Sequence, residues 1–236
     1  MELEVLLKNM LQKIRQNVNQ LGLANTLLYL FNKSLYRISF KKIKLHKYYI
    51  TRQPVSKEKL VPFNKALDIE INQIEVNDSL LLHMDRPLGN LQARFRQGGH
   101  CFAAIKKGKF AGNLWLNFDQ YQEDEVRCTY SLLPHGQAAW DYDVFVVPQF
   151  RLTYTFAKLW DVANAAMHQR GILYVYSRIN FYNISSLQAH ERLGSKIIGS
   201  LVFVTIGNYQ LSFSVHFRPY VTISTNRNVF PTLFIK

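Results

Sequence analysis

The sequence predicts an α/β (α+β) fold, in which a mixed sheet of about seven strands carries helices on both faces. In residues 101–105 and 110–116, two apolar strand-like runs flank a tight turn at Gly108, which is typical of an antiparallel hairpin. Further along, residues 144–204 alternate strand, helix, strand, helix and strand, and such a succession builds parallel strands. Antiparallel strands followed by a strand–helix–strand unit make a mixed sheet.

The stretch from Asp143 to Gly199 has the most regular pattern. Residues 144–147 form a buried-strand run closed by Pro148, and a helix is expected from about Arg151 to Arg170. Its apolar positions step by four and three, at Leu152, Phe156, Leu159, Ala163 and Ala166. Gly171 is expected to cap this helix, and the pattern then predicts a strand at 172–176, a polar loop at 180–186, a short helix at 187–193 and a strand at 196–204.

Two sequence motifs lie in this stretch. The first reads Val146-Val147-Pro148 and then Arg151, followed by a helix. The second places Asn183, Ser186, His190 and Gly194 at intervals of three, four and four residues. With these motifs the sequence resembles the acyl-CoA-dependent N-acetyltransferase (GNAT) superfamily, whose members carry V-x-P, then R/Q-x-x-G-x-G/A, then N-x-x-A/S-x-x-x-Y-x-x-x-G.

The sequence departs from the superfamily pattern at four positions. The two glycines of the pyrophosphate loop fall at Tyr154 and Phe156, and the usual tyrosine is His190. The phenylalanine that follows the last glycine in the superfamily is Ser195 here. The resemblance implies an N-acetyltransferase that moves an acetyl group from acetyl-CoA, or a related acyl-CoA, to an amine. The alternatives are an enzyme of this fold with another acyl or aminoacyl donor, and a degenerate, non-catalytic binding module. If Tyr154 and Phe156 fill the phosphate loop the donor site is lost, whereas if they point into the core it survives.

The resemblance also implies a cofactor site. Strand backbone at Phe145, Val146 and Val147 would pair with the pantetheine amides, and Arg151 would bind the pyrophosphate, unless it is simply a solvated arginine. The remaining positions assigned to the cofactor are Thr153, Tyr154, Thr155, Asn183 and Ser186. For Asn183 the structural alternative is a helix cap, whose side chain accepts from free N–H groups.

Three residues are candidates for proton transfer. Asp143 lies two residues after Asp141, so both are expected on one strand face, and Asp143 is the candidate general base or cation-binding group. The structural alternative is an ion pair with a nearby cation. His190 is the candidate acid for the departing thiolate, or else a helix-face histidine bonded to backbone. Tyr182 is an alternative proton donor, as is Tyr154.

No metal-ligand spacing is present around His83, His100, His135, His168 or His216. Cys101 and Cys128 are the two cysteines, both in apolar contexts, and we predict buried free thiols in a reducing cytoplasm.

The chain is strongly basic, with a net charge of +13 and a pI near 9.7. This balance favours anionic partners such as CoA phosphates or a membrane surface. No nucleic-acid-binding motif accompanies it. The acceptor is expected to be a small-molecule or sugar amine, and the basic N-terminal region favours an anionic or membrane-adjacent one.

We divide the chain into an N-terminal amphipathic helical extension, residues 1–35, and an acyltransferase-like domain, residues 36–236. The helical face consists of Leu3, Leu6, Leu7, Met10, Ile14, Val18 and Leu21, with a break expected at Gly22. We expect this face to pack on the domain or to form a dimer, with peripheral membrane contact as the alternative. The apolar run at 21–31 is too short to span a bilayer, which predicts a cytoplasmic protein.

The other segments have weaker patterns. Alternation predicts a strand at 36–52 and another at 69–76, and Asn77-Asp78 is expected to cap a helix that ends at Met84. Residues 119–125 read as an acidic loop, 126–133 and 210–217 as strands, and 218–236 as an irregular tail.

Overall fold

The computed structural model describes residues 2–236, apart from the side chains of residues 2–7, 9, 10 and 13. The predicted mixed α+β class is confirmed. In the described part of the chain, five α-helices are present: α1 (Glu2–Leu21), α2 (Leu23–Ile38), α3 (Leu88–Arg96), α4 (Thr155–Gln169) and α5 (Ile184–Glu191). Twelve strands accompany them: β1 (Ile43–Pro54), β2 (Ile69–Ile74), β3 (His100–Lys106), β4 (Lys109–Phe118), β5 (Gln120–Gln122), β6 (Thr129–Leu132), β7 (Ala138–Val146), β8 (Tyr174–Asn180), β9 (Lys196–Ile206), β10 (Tyr209–Ser214), β11 (Val221–Ser224) and β12 (Thr232–Ile235).

The chain forms two compact units. The first unit holds Met1–Thr51 and Ile179–Pro231, and the second holds Arg52–Arg178 and Thr232–Lys236. The strands outnumber the expected seven, and three of them, β5, β11 and β12, are only three or four residues long. Runs this short carry little periodicity. The proposed division near residue 35 stays a prediction.

In the second unit, five strands lie in the order β8–β7–β4–β3–β2. The β2–β3, β3–β4 and β4–β7 pairs are antiparallel, and β7 and β8 are parallel, as predicted for strands joined through a helix. The α4 helix packs on β2, β3, β4 and β7 and buries Leu159, Trp160, Ala163 and Met167 there. A separate three-stranded sheet has the order β12–β6–β5.

The expected beginning of the α4 helix is wrong by about one turn. Pro148–Phe150 forms a short 3₁₀ turn instead, and the Thr153 hydroxyl donates to the Phe150 carbonyl oxygen at 2.8 Å. Such side chain–backbone bonds compete with helix formation. Leu152 therefore lies in the turn, fully exposed, and does not belong to the apolar helix face.

In the first unit, four strands lie in the order β11–β10–β9–β1, and α1 packs against α2. The helix break occurs at Gly22, whose φ of 77° suits glycine. The strand expected at 36–52 is wrong at its start, because α2 continues to Ile38. The backbone N–H groups of Ser39 and Lys41 then donate to carbonyl oxygens of the last turn of α2. The side chains of Leu3, Leu6, Leu7 and Met10 lie outside the described residues.

Two further expectations need correction. The C-terminal tail is not irregular: β11 pairs with β10, and β12 pairs in parallel with β6. Asp78 does act as a cap, since its carboxylate accepts from the Leu80 N–H at 2.8 Å, but the helix it begins is a single 3₁₀ segment, Ser79–His83.

Candidate active site

Strands β7 and β8 run side by side for only part of their length. Their pairing extends from Ala138 and Tyr174 to Asp141 and Ser177. Beyond that point β7 continues to Val146 and keeps its pairing with β4. The other edge of β7 from Asp143 onwards therefore has no strand partner among the described residues, and its backbone groups face the space where the two strands diverge.

A β-bulge at Tyr142 separates the two aspartates of β7. Asp141 lies opposite Leu116 and Asp143 opposite Trp115, with the register shift between them. Residues directly opposite each other share a face, and neighbours along β4 alternate. Asp141 and Asp143 therefore lie on opposite faces, and the expectation of a common face is wrong. The extra residue of a bulge, which no sequence spacing reveals, is the reason.

The carboxylate of Asp141 is buried and accepts a hydrogen bond from the Ser177 hydroxyl at 2.9 Å. Since Ser177 is the last residue of β8 paired with β7, this bond joins the two strands where they begin to diverge.

Asp143 has cationic neighbours. Arg94, which is almost fully buried on α3, donates to Asp143 at 2.6 Å, and the Arg86 guanidinium lies 3.6 Å away. Burial raises the pKa of Asp143, and the charges of Arg94 and Arg86 oppose that rise. The ion pair considered as the structural alternative is present. A carboxylate whose pKa is raised by burial is also suited to accept a proton.

The acidic segment at 119–125 is only partly a loop, because Gln120–Gln122 forms β5, and one of its glutamates is buried. Arg178 on β8 donates to both carboxylate oxygens of Glu123, at 2.6 and 2.9 Å, and Glu123 is buried. Asp124 lies 3.4 Å from Arg94, and its backbone N–H donates to Glu123 at 3.0 Å. The loop therefore connects Arg94, and through it Asp143, to the diverging strand β8.

The N-terminal end of α4 tolerates the residues that replace glycine. Tyr154 has a φ of −73°, in the right-handed region open to any residue, and its side chain is 44% exposed. Phe156 is half-buried, with its ring centroid 6.4 Å from that of Trp160. The first turn of α4 has no acidic residue and its N-cap residue, Tyr154, makes no side-chain cap bond, so no carboxylate there competes with an anion. The Thr155 N–H of this turn donates to the Thr153 hydroxyl at 3.4 Å.

Arg151 lies in the turn between β7 and α4. Its Nε atom donates to the Val146 carbonyl oxygen at 3.2 Å, which places the guanidinium at the end of β7. Thr155 is fully buried, and its hydroxyl donates to that of Thr153 at 2.8 Å. Both threonine hydroxyls are thus engaged within the turn, and their predicted contact with a cofactor stays a prediction.

The remaining predicted site residues belong to the first unit. Asn183 is the helix cap: its side-chain oxygen accepts from the backbone N–H of Ser186 at 3.2 Å. His190 is 4% exposed, and its Nδ1–H donates to the Ser186 carbonyl oxygen at 2.8 Å. Tyr182 is 48% exposed, with its ring edge-to-face against Tyr29. Their assignments to cofactor binding or proton transfer stay predictions.

The described residues contain no group of histidines, cysteines or carboxylates that could hold a metal ion. Cys101 and Cys128 are free and fully buried, and burial raises the pKa of both thiols well above the usual range. No helix in the described part of the chain combines the length and apolarity that crossing a bilayer demands.

No protein-family model matches this chain, and no curated protein matches it either. Among solved structures, a Drosophila protein is 14% identical with a TM-score of 0.48, over 70% of this chain and 52% of its own. A tandem GNAT protein from the clavulanic acid biosynthesis pathway is 13% identical with a TM-score of 0.47, over 68% of this chain and 53% of its own. The chain therefore spans about half the length of these two.

An aminoglycoside N-acetyltransferase in complex with CoA is 19% identical with a TM-score of 0.42, over 57% of this chain and 91% of its own. At these identities and TM-scores, we draw no conclusion about activity from the likenesses. The structures to which the chain is similar thus include GNAT acetyltransferases, members of the superfamily that its two motifs resemble.

Proposed function

We propose that the chain is an acyl-CoA-dependent acyltransferase, and specifically an N-acetyltransferase that uses acetyl-CoA. The divergence of β7 from β8 after Asp141 supports this most directly. An extended ligand can add to a free strand edge through backbone hydrogen bonds, and pantetheine carries two amides suited to it. Residues Phe145, Val146 and Val147 would supply that edge.

The phosphates of CoA would lie at the N-terminal end of α4. The first turn, which has no acidic residue, and the adjacent Arg151 guanidinium both favour negative charge. In this proposal, backbone N–H groups and Arg151 replace the close approach that glycine gives in the superfamily. Tyr154 lies exposed beside that turn and would border the bound phosphates.

In the reaction the acceptor amine attacks the thioester carbonyl, so that a C–N bond forms and the C–S bond breaks. The amine must lose a proton and the thiolate must gain one. Asp143, half-buried at the diverging strands, is the proposed base. Tyr182 and His190 remain the candidate acids, and the greater exposure of the Tyr182 side chain favours it. A small-molecule or sugar amine is the proposed acceptor.

Calorimetric titration with CoA and acetyl-CoA tests the donor site. Arg151→Ala should weaken binding by about 1–3 kcal/mol, the range for a hydrogen bond to a charged group. Arg96→Ala, which removes an exposed arginine of the same unit, is the matched control and should leave affinity unchanged. Unchanged affinity in the Arg151 variant would remove that residue from the site.

The two alternatives give different results in the same titration. Absence of CoA binding, with the chain folded, would favour a different acyl or aminoacyl donor. Tight CoA binding without transfer to any tested amine would favour the non-catalytic binding module.

We also propose that the N-terminal region contacts an anionic membrane surface. Residues 5–57 contain 11 of the 29 lysines and arginines and no Asp or Glu. On α2, a stripe at helical spacing leaves Leu23, Leu27 and Phe31 more than half exposed. Exposed apolar side chains flanked by cations are typical of segments that lie on anionic lipid.

Sedimentation with vesicles tests this contact. The protein should bind phosphatidylserine-containing vesicles at low salt and lose binding at high salt and on neutral vesicles. A Leu27→Glu, Phe31→Glu double variant should bind several-fold less. Phe63→Glu, which changes a 90% exposed side chain of the second unit, is the control. Equal binding by all three proteins would contradict the proposal.

A further inference from the structure

The first unit contains a concave pocket of about 420 Å³ between α2 and the start of β1. We name it the basic pocket, and its lining residues are Tyr29, Asn32, Lys33, Tyr36, Lys44, Leu45, His46 and Tyr182. Its volume falls within the range of small-ligand sites in proteins, roughly 300–1,000 Å³. None of these residues except Tyr182 belongs to the proposed acyltransferase machinery.

One face of α2 builds the helical wall of the basic pocket. Residues 29, 32, 33 and 36 are spaced by three, one and three, so they project on the same side of the helix. The exposed apolar stripe at Leu23, Leu27 and Phe31 lies on a different side. The pocket and the proposed membrane contact therefore use separate faces of α2.

Two hydrogen bonds hold the helical wall against the strand wall. The Asn32 side chain donates to the Leu45 carbonyl oxygen at 2.7 Å and accepts from the Leu45 N–H at 3.0 Å. The amide of Asn32 thus satisfies both backbone groups of one strand residue, as a neighbouring strand would. Walls positioned before a ligand arrives lower the entropic cost of binding it.

The charge in the basic pocket is entirely positive. Lys33 and Lys44 are exposed at its mouth, and neither forms an ion pair with a carboxylate among the described residues. The Lys44 ammonium lies 5.8 Å from the centre of the Tyr36 ring, which keeps it over the aromatic wall. Two uncompensated cations at the rim of a concave site attract an anion.

The other surfaces of the basic pocket are aromatic. Tyr29 and Tyr182 pack edge-to-face with ring centroids 5.7 Å apart, and Tyr36 contributes a third ring. Flat aromatic walls favour ligands that present a ring or a sugar face, and the tyrosine hydroxyls can bond to their polar edges. The pocket thus combines cations for a phosphate with rings for the group attached to it.

We propose that the basic pocket binds a small phosphorylated compound that carries a ring, of the nucleotide or sugar-phosphate class. The phosphate lies between Lys33 and Lys44, and the ring lies against the tyrosines. The volume of about 420 Å³ suits a small molecule. The proposal stands whether or not the chain transfers acyl groups.

Calorimetric titration of the full chain tests the proposal with four probes: UDP, ADP, glucose 6-phosphate and inorganic pyrophosphate. At least one ring-bearing probe should bind with a dissociation constant below about 1 mM and more tightly than pyrophosphate. The corresponding nucleoside or free sugar should bind at least about tenfold more weakly, because it lacks the charge that meets the lysines. If none of the three ring-bearing probes binds below that limit, or if pyrophosphate binds as tightly as they do, the proposal is overturned.

Variants locate the bound probe. A Lys33→Gln, Lys44→Gln double variant changes two exposed side chains, so folding should be kept, and binding should fall about tenfold or more. The matched control, Lys107→Gln with Lys109→Gln, removes two exposed lysines of the second unit and should leave binding unchanged.

A further pair of results separates this site from the CoA site. Arg151→Ala should weaken CoA without affecting the ring-bearing probe, and the Lys33, Lys44 double variant should do the reverse. If the probe binds equally well to the double lysine variant and to the wild type, the pocket is not its site and the proposal fails. A failure of CoA binding alone leaves this proposal intact.

Discussion

Two glutamates of the segment at 119–125 bond to the same arginine of β8, and comparing them tests how much the buried one stabilises the protein. Glu123 and Glu125 both bond to Arg178, but the Glu123 side chain is fully buried and that of Glu125 is 47% exposed. The Glu123 carboxylate accepts from Arg178 at 2.6 and 2.9 Å and from two backbone N–H groups, at 3.0 and 3.3 Å. Glu123→Gln would place an amide NH₂, a donor, against some of these donors.

Removing one partner of a buried ion pair costs about 3–5 kcal/mol. We expect the lower end for Glu123→Gln, about 3 kcal/mol, because Arg178 keeps its bond to Glu125 at 2.8 Å. In a chain of this size, that loss should lower the unfolding midpoint by roughly 6–12 °C. The measurement is thermal and urea unfolding at pH 8.5, where the wild-type carboxylate is ionised.

Glu125→Gln is the matched control, since it removes the same charge from the same arginine at an exposed position. We expect it to cost at most about 1 kcal/mol, the usual limit for a surface ion pair. Equal effects of the two substitutions, or a loss under about 1 kcal/mol for Glu123→Gln, would refute the conclusion that the buried pair holds this loop.

Asp143→Asn should lower kcat by ~10²–10⁴. In the wild type, the apparent pKa of the acid limb of the pH–rate profile should lie above the usual pKa range of aspartate, because burial raises the pKa of Asp143. His190→Ala should lower kcat by ~10²–10⁴ with little change in CoA affinity if His190 is the acid, whereas a normal single-turnover rate would leave it structural. Gly112→Ala would bring a Cβ atom 2.4 Å from the Phe145 carbonyl oxygen, so β7 must shift and calorimetry should report weaker CoA binding.

Elements with local signals could be predicted from the sequence. The hairpin around Gly108, the helix break at Gly22 and the cap at Asn183 each depend on residues within a few positions of one another. The parallel pairing of β7 and β8 followed from the strand–helix–strand order, because the helix returns the chain to the end of the sheet at which the first strand began. The α+β class therefore needed no knowledge of distant contacts.

Contacts between distant residues could not be predicted in the same way. The ion pairs of Arg94 with Asp143 and of Arg178 with Glu123 join residues 49 and 55 positions apart. In the sequence, the acidic loop at 119–125 contains no periodicity that would identify Glu123 as a buried residue. No sequence pattern predicts the bulge at Tyr142 either. Because of this bulge, Asp141 and Asp143 lie on opposite faces of β7 and not on the same face, as was expected.

The replacement of two glycines in the phosphate-loop motif changes the surroundings of the α4 N-terminus more than its shape. Glycine is favoured where φ is positive, and among the described residues none from 150 to 157 has a positive φ. Phe156 is half-buried near Trp160, and Tyr154 is exposed beside the turn, so neither strains the backbone. The first turn of α4 has no acidic residue, and Arg151 lies in the turn that precedes it. In the proposed site, Arg151 and the backbone N–H groups of the first turn of α4 attract the CoA phosphates, whereas the bulk of Tyr154 opposes their close approach. We therefore expect Tyr154→Gly to strengthen CoA binding and Arg151→Ala to weaken it.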